Sequence, residues 1–295
     1  MSDATLVTIA SDRLSAAINP FGAELTHLRD AEGRELMTDA DPAFWSRHAP
    51  LLFPVIGRVH DDAIRVDGIA YPMPKHGFAR NRTFEMVANA ADCVTFRLEA
   101  DAETRESYPF AFVLDVTYRI DGATLAVDVT IANRGDRPMP AQFGFHPAFA
   151  WPLPYGRARA DHRIVFDADE PDALSEVTKA GFIGADTRPS PLDARTLYLA
   201  DDLFTNDALV WDPVASDSVT YGANDGPQLR IAFPDTPKLG IWTIPGAAYV
   251  CVEPWHGIAD PAGFTGDYAD KPGIFTVMPG ETKAIGLRVS LVEEP

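Results

Sequence analysis

Apolar and polar positions alternate with a period of two along much of this chain. Val94, Phe96 and Leu98 share one face of the stretch Cys93 to Leu98, and Phe112, Leu114, Val116 and Tyr118 share one face of Phe110 to Ile120. Such spacing predicts half-buried strands. Asp121-Gly122, followed by Leu125, Val127, Val129 and Ile131, predicts a tight hairpin, and Asp67-Gly68 between Ile64-Arg65-Val66 and Ile69-Ala70-Tyr71 predicts a second. Pro279-Gly280-Glu281 turns the chain into a last strand over Ala284 to Leu291. Helical spacing is scarce: Asp41-Pro42 opens a short helix through Arg47, and Pro171 to Lys179 holds another turn or two. Leu153 to Ala208 reads as a decorated connection, with a strand at Ile164-Val165-Phe166 inside it. The 25 prolines fall between the alternating segments, where strands end. No self-similar period disturbs this picture. The expectation is an all-β fold, a large antiparallel β-sandwich with few short helices, formed as a single domain over residues 1–295.

Composition narrows the partners. With 46% hydrophobic and 23% charged residues, the chain can build a sizeable core. Lys+Arg 25 against Asp+Glu 43 gives a net charge of −18, which excludes the counterion-releasing contacts that nucleic-acid affinity needs and disfavours an anionic membrane. Apolar runs such as Ala49 to Ile56 are far shorter than the ~20 residues of a membrane span. Met1 to Thr5 shows no basic region ahead of an apolar stretch, so a cytoplasmic location is expected. Cys93 and Cys251 stand far apart without a CxxC and read as two ordinary buried thiols.

Phosphate-loop, serine-hydrolase and zincin motifs are absent, as is an HxH pair. Three segments set a histidine or carboxylate among glycine, proline and aromatic residues: Lys75 to Arg80, Phe143 to Phe149, and Cys251 to Gly257. Glu253 follows the apolar run Ala247 to Val252 and precedes Pro254, so it is either a base with a raised pKa or a solvated strand-end carboxylate. His146, between Phe145 and Pro147-Ala148-Phe149, and His76, before Gly77, are acids near neutral pH or satisfied core histidines. Gly77 permits a close backbone approach. Arg58 is a fixed-charge donor or a surface arginine, and Asp207 a hydroxyl ligand or a turn residue. Trp255, Trp151, Phe143 and Phe149 offer flat faces to a sugar ring or belong to the core. His48, His60, His162 and His256 are read as structural or exposed.

In this order, Leu52 to Arg58, Lys75 to Arg80, Gly144 to Phe149 and Glu253-Pro254-Trp255 resemble the motifs of the aldose 1-epimerase (galactose mutarotase-like) family, in its bacterial LacX-type branch. The resemblance runs from Leu14 to Glu281. It implies a β-supersandwich with a carbohydrate cleft, Glu253 as general base, His146 as general acid, and Arg58, His76, Asp207, Arg80 and Trp255 as substrate-binding groups. Galactose mutarotases proper carry an Asn-Arg pair after the Gly-Arg, where this chain has His60-Asp61-Asp62, so the substrate arginine is Arg58 or Arg80. The Lys75 to Arg80 segment also resembles hexose-6-phosphate mutarotases, in which Arg80 would face a phosphate.

The implied reaction opens a hemiacetal ring and recloses it as the other anomer, with no metal and no organic cofactor. It requires a protonated acid beside an ionised base, which follows if burial raises the pKa of Glu253 and the neighbouring carboxylate raises that of His146. The expected partner is a small sugar, and the protein a monomer or homodimer. Alternatives are a non-catalytic sugar-binding protein of the same fold, a β-sandwich glycoside hydrolase with two carboxyls across its site, and a zinc site of His76, His146 and Glu253.

Overall fold

In the computed structural model, which describes residues 6–293, the alternating segments become two large antiparallel sheets. The opening stretch Met1 to Thr5 lies outside the described residues. The larger sheet has nine strands, in the spatial order Thr196–Tyr198, His162–Phe166, Ser218–Ala223, Gln228–Ala232, Thr282–Val292, Thr124–Asn133, Phe112–Asp121, Cys93–Glu99 and Glu85–Asn89. The other runs Ile183–Pro189, Ala173–Val177, Leu209–Trp211, Lys238–Trp242, Tyr249–His256, Phe143–Phe145 and Leu51–Leu52, with Ala148–Ala150 also paired to Tyr249–His256. The inner faces of the two sheets meet in one apolar cluster, in which Phe112, Leu114, Val129 and Ile285 of the first share the core with Phe143, Leu239, Ile241, Val250 and Val252 of the second. Among the described residues no helix is long and apolar enough to cross a membrane.

Both hairpins form, by different turns. Val66 pairs with Ile69 around Asp67 and Gly68, each at positive φ, the geometry of a type I′ turn. At the other, Asp121 pairs with Thr124, so the turn residues are Gly122 and Ala123, one position later than the Asp-Gly pattern places them. Only Gly122 has positive φ there, which matches a type II′ turn with glycine first.

Three expected local features differ. Asp41 to Arg47 makes a single turn rather than a helix: Asp41 accepts from Ala43, Phe44 and Trp45, but a few residues on the N–H groups of His48 and Ala49 donate to the buried Glu24 carboxylate at 2.7 and 3.1 Å instead of making helical bonds. Ala173–Val177 is a strand, because Ile183–Pro189 and Val210 supply its hydrogen bonds and Leu174 is buried beneath it. The connection Leu153 to Ala208 holds four strands, not one. Tertiary pairing outweighs local propensity in each case.

Gly77 shows how tightly one wall of the site is built. It bridges to Phe53, and a Cβ placed on it would stand 2.1 Å from the Phe53 carbonyl oxygen, with φ at +74°. Gly77→Ala therefore combines a backbone clash with strain, and denaturant unfolding should show a loss beyond the ~1–3 kcal/mol of an unfavourable φ alone. Gly68→Ala, at φ +77° with nothing within 4 Å, should cost only that strain.

Candidate active site

Strand Tyr249–His256 is buried along its whole length, on both faces. Val250 and Val252 point into the core between the sheets, while Cys251, Glu253 and Trp255 alternate to the opposite face. Pro254 does not end this strand: it pairs with Leu239 on one side. On the other side, the ladder is interrupted. Gly144 pairs with Trp255 and Ala148 with Cys251, a register that is unchanged across the gap and sets His146 directly opposite Glu253. Within the gap the Val252 N–H still donates to the Pro147 carbonyl at 3.2 Å, and neither Pro147 nor Pro254 has an N–H to leave unpaired. Cross-strand neighbours have Cβ atoms ~4.5–5.5 Å apart, close enough for side chains to touch. The His146 Nε2 lies 3.2 Å from Glu253 Oε2, with the two residues 7% and 2% exposed.

Around this pair is a pocket of about 330 Å³. Trp45 stacks on the His146 ring at 4.8 Å, and Trp242 meets it edge-on at 5.8 Å. Trp255 forms the floor. Its indole lies over Gly240 and Gly144, where added Cβ atoms would come within 2.6 and 2.7 Å of the ring. Both glycines are thus required by the flat placement of the tryptophan, and its Nε1–H is buried without a partner.

His76 is held from behind. Its backbone N–H donates to the Gly57 carbonyl at 2.8 Å, and the Gly57 N–H donates to its Nδ1 at 3.1 Å. An accepting Nδ1 places the ring proton on Nε2. Burial, with His146 and Arg80 nearby, pushes the His76 pKa well below the usual histidine value, so the ring is a neutral donor. Lys75 and Arg80 add positive charge to the pocket wall. Arg80 donates to the Lys75 carbonyl at 2.8 Å, leaves its Nε buried and unpartnered, and is pushed down to about 10 by burial, still protonated at neutral pH. Asp207 also lines the pocket, at φ +69°, with Oδ1 accepting from the Ala208 N–H at 2.8 Å.

Arg58 is not in this wall. Its side chain is 45% exposed, 3.6 Å from Asp62, and donates to the Ala180 carbonyl. Ile56 and Gly57 before it reach the pocket but Arg58 does not, so of the two arginines it is Arg80 that faces the cavity. Of the four aromatic candidates, Trp255 alone lines it. Trp151 is buried with its Nε1–H on the Arg159 carbonyl, and Phe143 and Phe149 belong to the core. Cys93 is only partly buried, whereas Cys251 is fully buried. Trp45 and Trp242 were not among the candidates. Trp242 could be found by alternation, since Leu239 and Ile241 mark the opposite face, but Trp45 sits on an irregular turn with no local pattern.

The charge state of the central pair departs from the expected one. Burial, reinforced by Asp207, raises the Glu253 pKa well above the carboxylate range, against a smaller pull from Lys75. His146 is not raised by its carboxylate neighbour: burial pushes it down to about 3. Desolvation of two charges outweighs their attraction here. The buried pair is neutral, with its shared proton on Glu253.

The geometry agrees with the wider comparison. The family model of aldose 1-epimerase matches residues 5–272. The chain belongs to the aldose 1-epimerase family. It is 29% identical over 286 residues to the plasmid-encoded protein LacX of Lactococcus lactis subsp. lactis, covering 94% of this chain and 96% of that one. Its fold is similar to that of a galactose mutarotase related enzyme from Lactobacillus acidophilus, with a TM-score of 0.92, 31% identity and 98% of both chains covered. A galactose mutarotase-like protein from Lactobacillus casei is similar at a TM-score of 0.91 and 31% identity, over 98% of this chain and 100% of that one. These relatives place the chain among carbohydrate epimerases, on the β-sandwich fold that the alternation predicts.

A carboxyl whose pKa is raised by folding destabilises the native state once the unfolded chain ionises. At pH values below the ordinary 4.5 both states are protonated and there is no cost; the cost grows as pH rises from there to the raised folded value. Glu253→Gln should therefore raise the unfolding temperature at pH 7, and the gain should shrink toward zero near pH 4. Differential scanning calorimetry across that range measures it.

Proposed function

We propose that the protein is an aldose 1-epimerase that interconverts the α and β anomers of a hexose, with Glu253 as general base and His146 as general acid. The observation that carries this reading is the buried cross-strand contact of these two groups, 3.2 Å apart at the base of a pocket of about 330 Å³. That size is at the low end for small-molecule sites, suited to one sugar ring and not to a chain. The anomeric hydroxyl and the ring oxygen are bonded to the same carbon, so an acid and a base that serve them must also be neighbours.

Glu253 takes the proton from the O1 hydroxyl, the electron pair forms the C1 carbonyl, the bond from C1 to the ring oxygen breaks, and that oxygen takes a proton from His146. After rotation about C1–C2, the ring oxygen returns its proton to His146 and attacks the other carbonyl face, while O1 recovers its proton from Glu253. The pair holds one proton throughout, so none is drawn from solvent. Lys75 and the incoming hydroxyls favour the charged arrangement, with Glu253 ionised, that burial disfavours. Trp255 offers its face to the sugar's C–H side, while His76 Nε2–H, Arg80 and Asp207 hold hydroxyls. A hydrolase would use a second carboxyl across the scissile bond, but Asp207 is turned onto the backbone of its own turn.

Arg80 and Lys75 together support a second substrate reading, a hexose 6-phosphate, whose dianion would meet the unpartnered Arg80 Nε. A panel of freshly dissolved α-glucose, α-galactose and their 6-phosphates, followed by polarimetry, separates the two. Arg80→Met should slow the phosphorylated sugars far more than the free ones if Arg80 meets a phosphate, and should slow the free sugars moderately if it holds hydroxyls. A rate equal to buffer for every sugar ends the enzymatic reading. In the same assay Glu253→Gln and His146→Asn should each lower kcat by about 10²–10⁴-fold, the usual contribution of a positioned acid or base.

The pH profile follows from the pair's single proton. With His146 held down to about 3, kcat/KM should stay level as pH falls through 6.5, where an exposed histidine would titrate. It should decline on the alkaline side, once Glu253 loses the shared proton and no acid remains. Activity that fades as pH falls through 6.5 would contradict a neutral His146.

A further inference from the structure

Beside the acid and base lies a group that the proposed reaction does not use. Cys251 precedes Glu253 by two residues, so its side chain leaves the same face of strand Tyr249–His256, and its residue is fully buried. The His146 imidazole nitrogen, the Cys251 Sγ and a Glu253 carboxylate oxygen all lie within 4.8 Å of one another. Among the described residues this is the one group of three such ligands that close together. We infer that these three side chains form a site for a borderline-soft divalent cation, Zn²⁺ in the first instance, which binds where the sugar's anomeric centre would sit.

Three features of the cluster support this. Zn²⁺ takes thiolate, imidazole and carboxylate ligands at ~2.0–2.3 Å, so small side-chain rotations suffice to bring all three onto one ion. One thiolate and one carboxylate balance the two charges of the ion, so the filled site is electrically neutral and tolerates its dry surroundings. The thiolate selects Zn²⁺, Cd²⁺ or Co²⁺ over Mg²⁺ and Ca²⁺. His76 is not a ligand in this set, since its Nδ1 already accepts from the Gly57 N–H.

The cluster also limits how strongly the ion is held. Metal-ligating histidines donate a hydrogen bond from their second ring N–H to an acceptor, but the His146 Nδ1 is buried without a partner. The site is therefore a reversible one that a chelator empties. Its consequence rests on the proposed function: the ion takes the lone pairs of both Glu253 and His146, so it excludes the sugar and stops epimerisation. Binding sends the thiol proton to solvent.

The test uses the full chain after chelator treatment, titrated with cobalt(II) chloride and followed by absorption, then with zinc chloride by calorimetry. Cobalt should produce a thiolate-to-metal charge-transfer band, zinc should abolish it by displacement, and magnesium should give no signal. Cys251→Ser should lose the band and bind zinc roughly tenfold or more weakly, while Cys93→Ser, which removes the other thiol, should keep it. Turnover of the wild type should fall as zinc is added, and Cys251→Ser, active without metal, should resist. No charge-transfer band in the wild type, or unchanged zinc affinity in a folded Cys251→Ser, overturns the site. Zinc bound as described, in a protein that turns over no sugar even without metal, would uphold the site and remove only the epimerase reading.

Discussion

The arrangement depends on one interrupted ladder. Phe143–Phe145 and Ala148–Ala150 are pieces of one line along Tyr249–His256, in the same register on either side of a gap. Two prolines, Pro147 and Pro254, flank the places where backbone bonds are missing. The gap frees His146 from the sheet without moving it out of line, so the imidazole and the Glu253 carboxylate meet as cross-strand neighbours. A one-residue slip of this line would turn the His146 side chain to the core face and away from Glu253. Continuous ladders on the other side of the strand, to Lys238–Trp242, hold that register fixed.

Placing a titratable pair in so dry a setting works against stability and for chemistry. Glu253 is raised and His146 lowered by the same burial, which reverses the usual order of their proton affinities. The proton moves to His146 when arriving hydroxyl groups resolvate the pair and, with the field of Lys75, stabilise an ionised Glu253. The supporting shell is rigid where it must be: glycines beneath Trp255, a glycine against Phe53, and paired hydrogen bonds between Gly57 and His76. The same proximity also places the Cys251 thiol against the pair, so the chemistry that favours proton exchange also favours capture of a soft cation.

Much of the fold was legible in the chain because strands announce themselves through alternation. Val94, Phe96 and Leu98 are buried as their spacing requires, and so are Phe112, Leu114, Val116 and Tyr118. Where alternation was weak, the reading failed: Ala173–Val177 has a single fully buried side chain and becomes a strand only through its neighbours. Among the described residues the one α-helix, Ala102–Ser107, carried a local signal in Asp101 and Thr104, which cap it reciprocally, yet it is too short to show a periodic face. At the site, Glu253, His146, His76, Arg80, Asp207 and Trp255 share the pocket that the motifs imply. Arg58 does not, because the side chain following Gly57 turns outward to Asp62, a direction no motif encodes. The charge state of the pair was also out of reach, since it depends on how completely the folded protein excludes water from two particular atoms.

The most direct test of the central claim is a crystal structure of the Glu253→Gln protein soaked with a hexose. The account predicts a sugar lying on Trp255, with its anomeric oxygen within about 2.6–3.2 Å of residue 253 and its ring oxygen equally close to the His146 Nε2. A sugar bound with its anomeric centre away from these two side chains, or with only one of them in reach of it, would contradict the account.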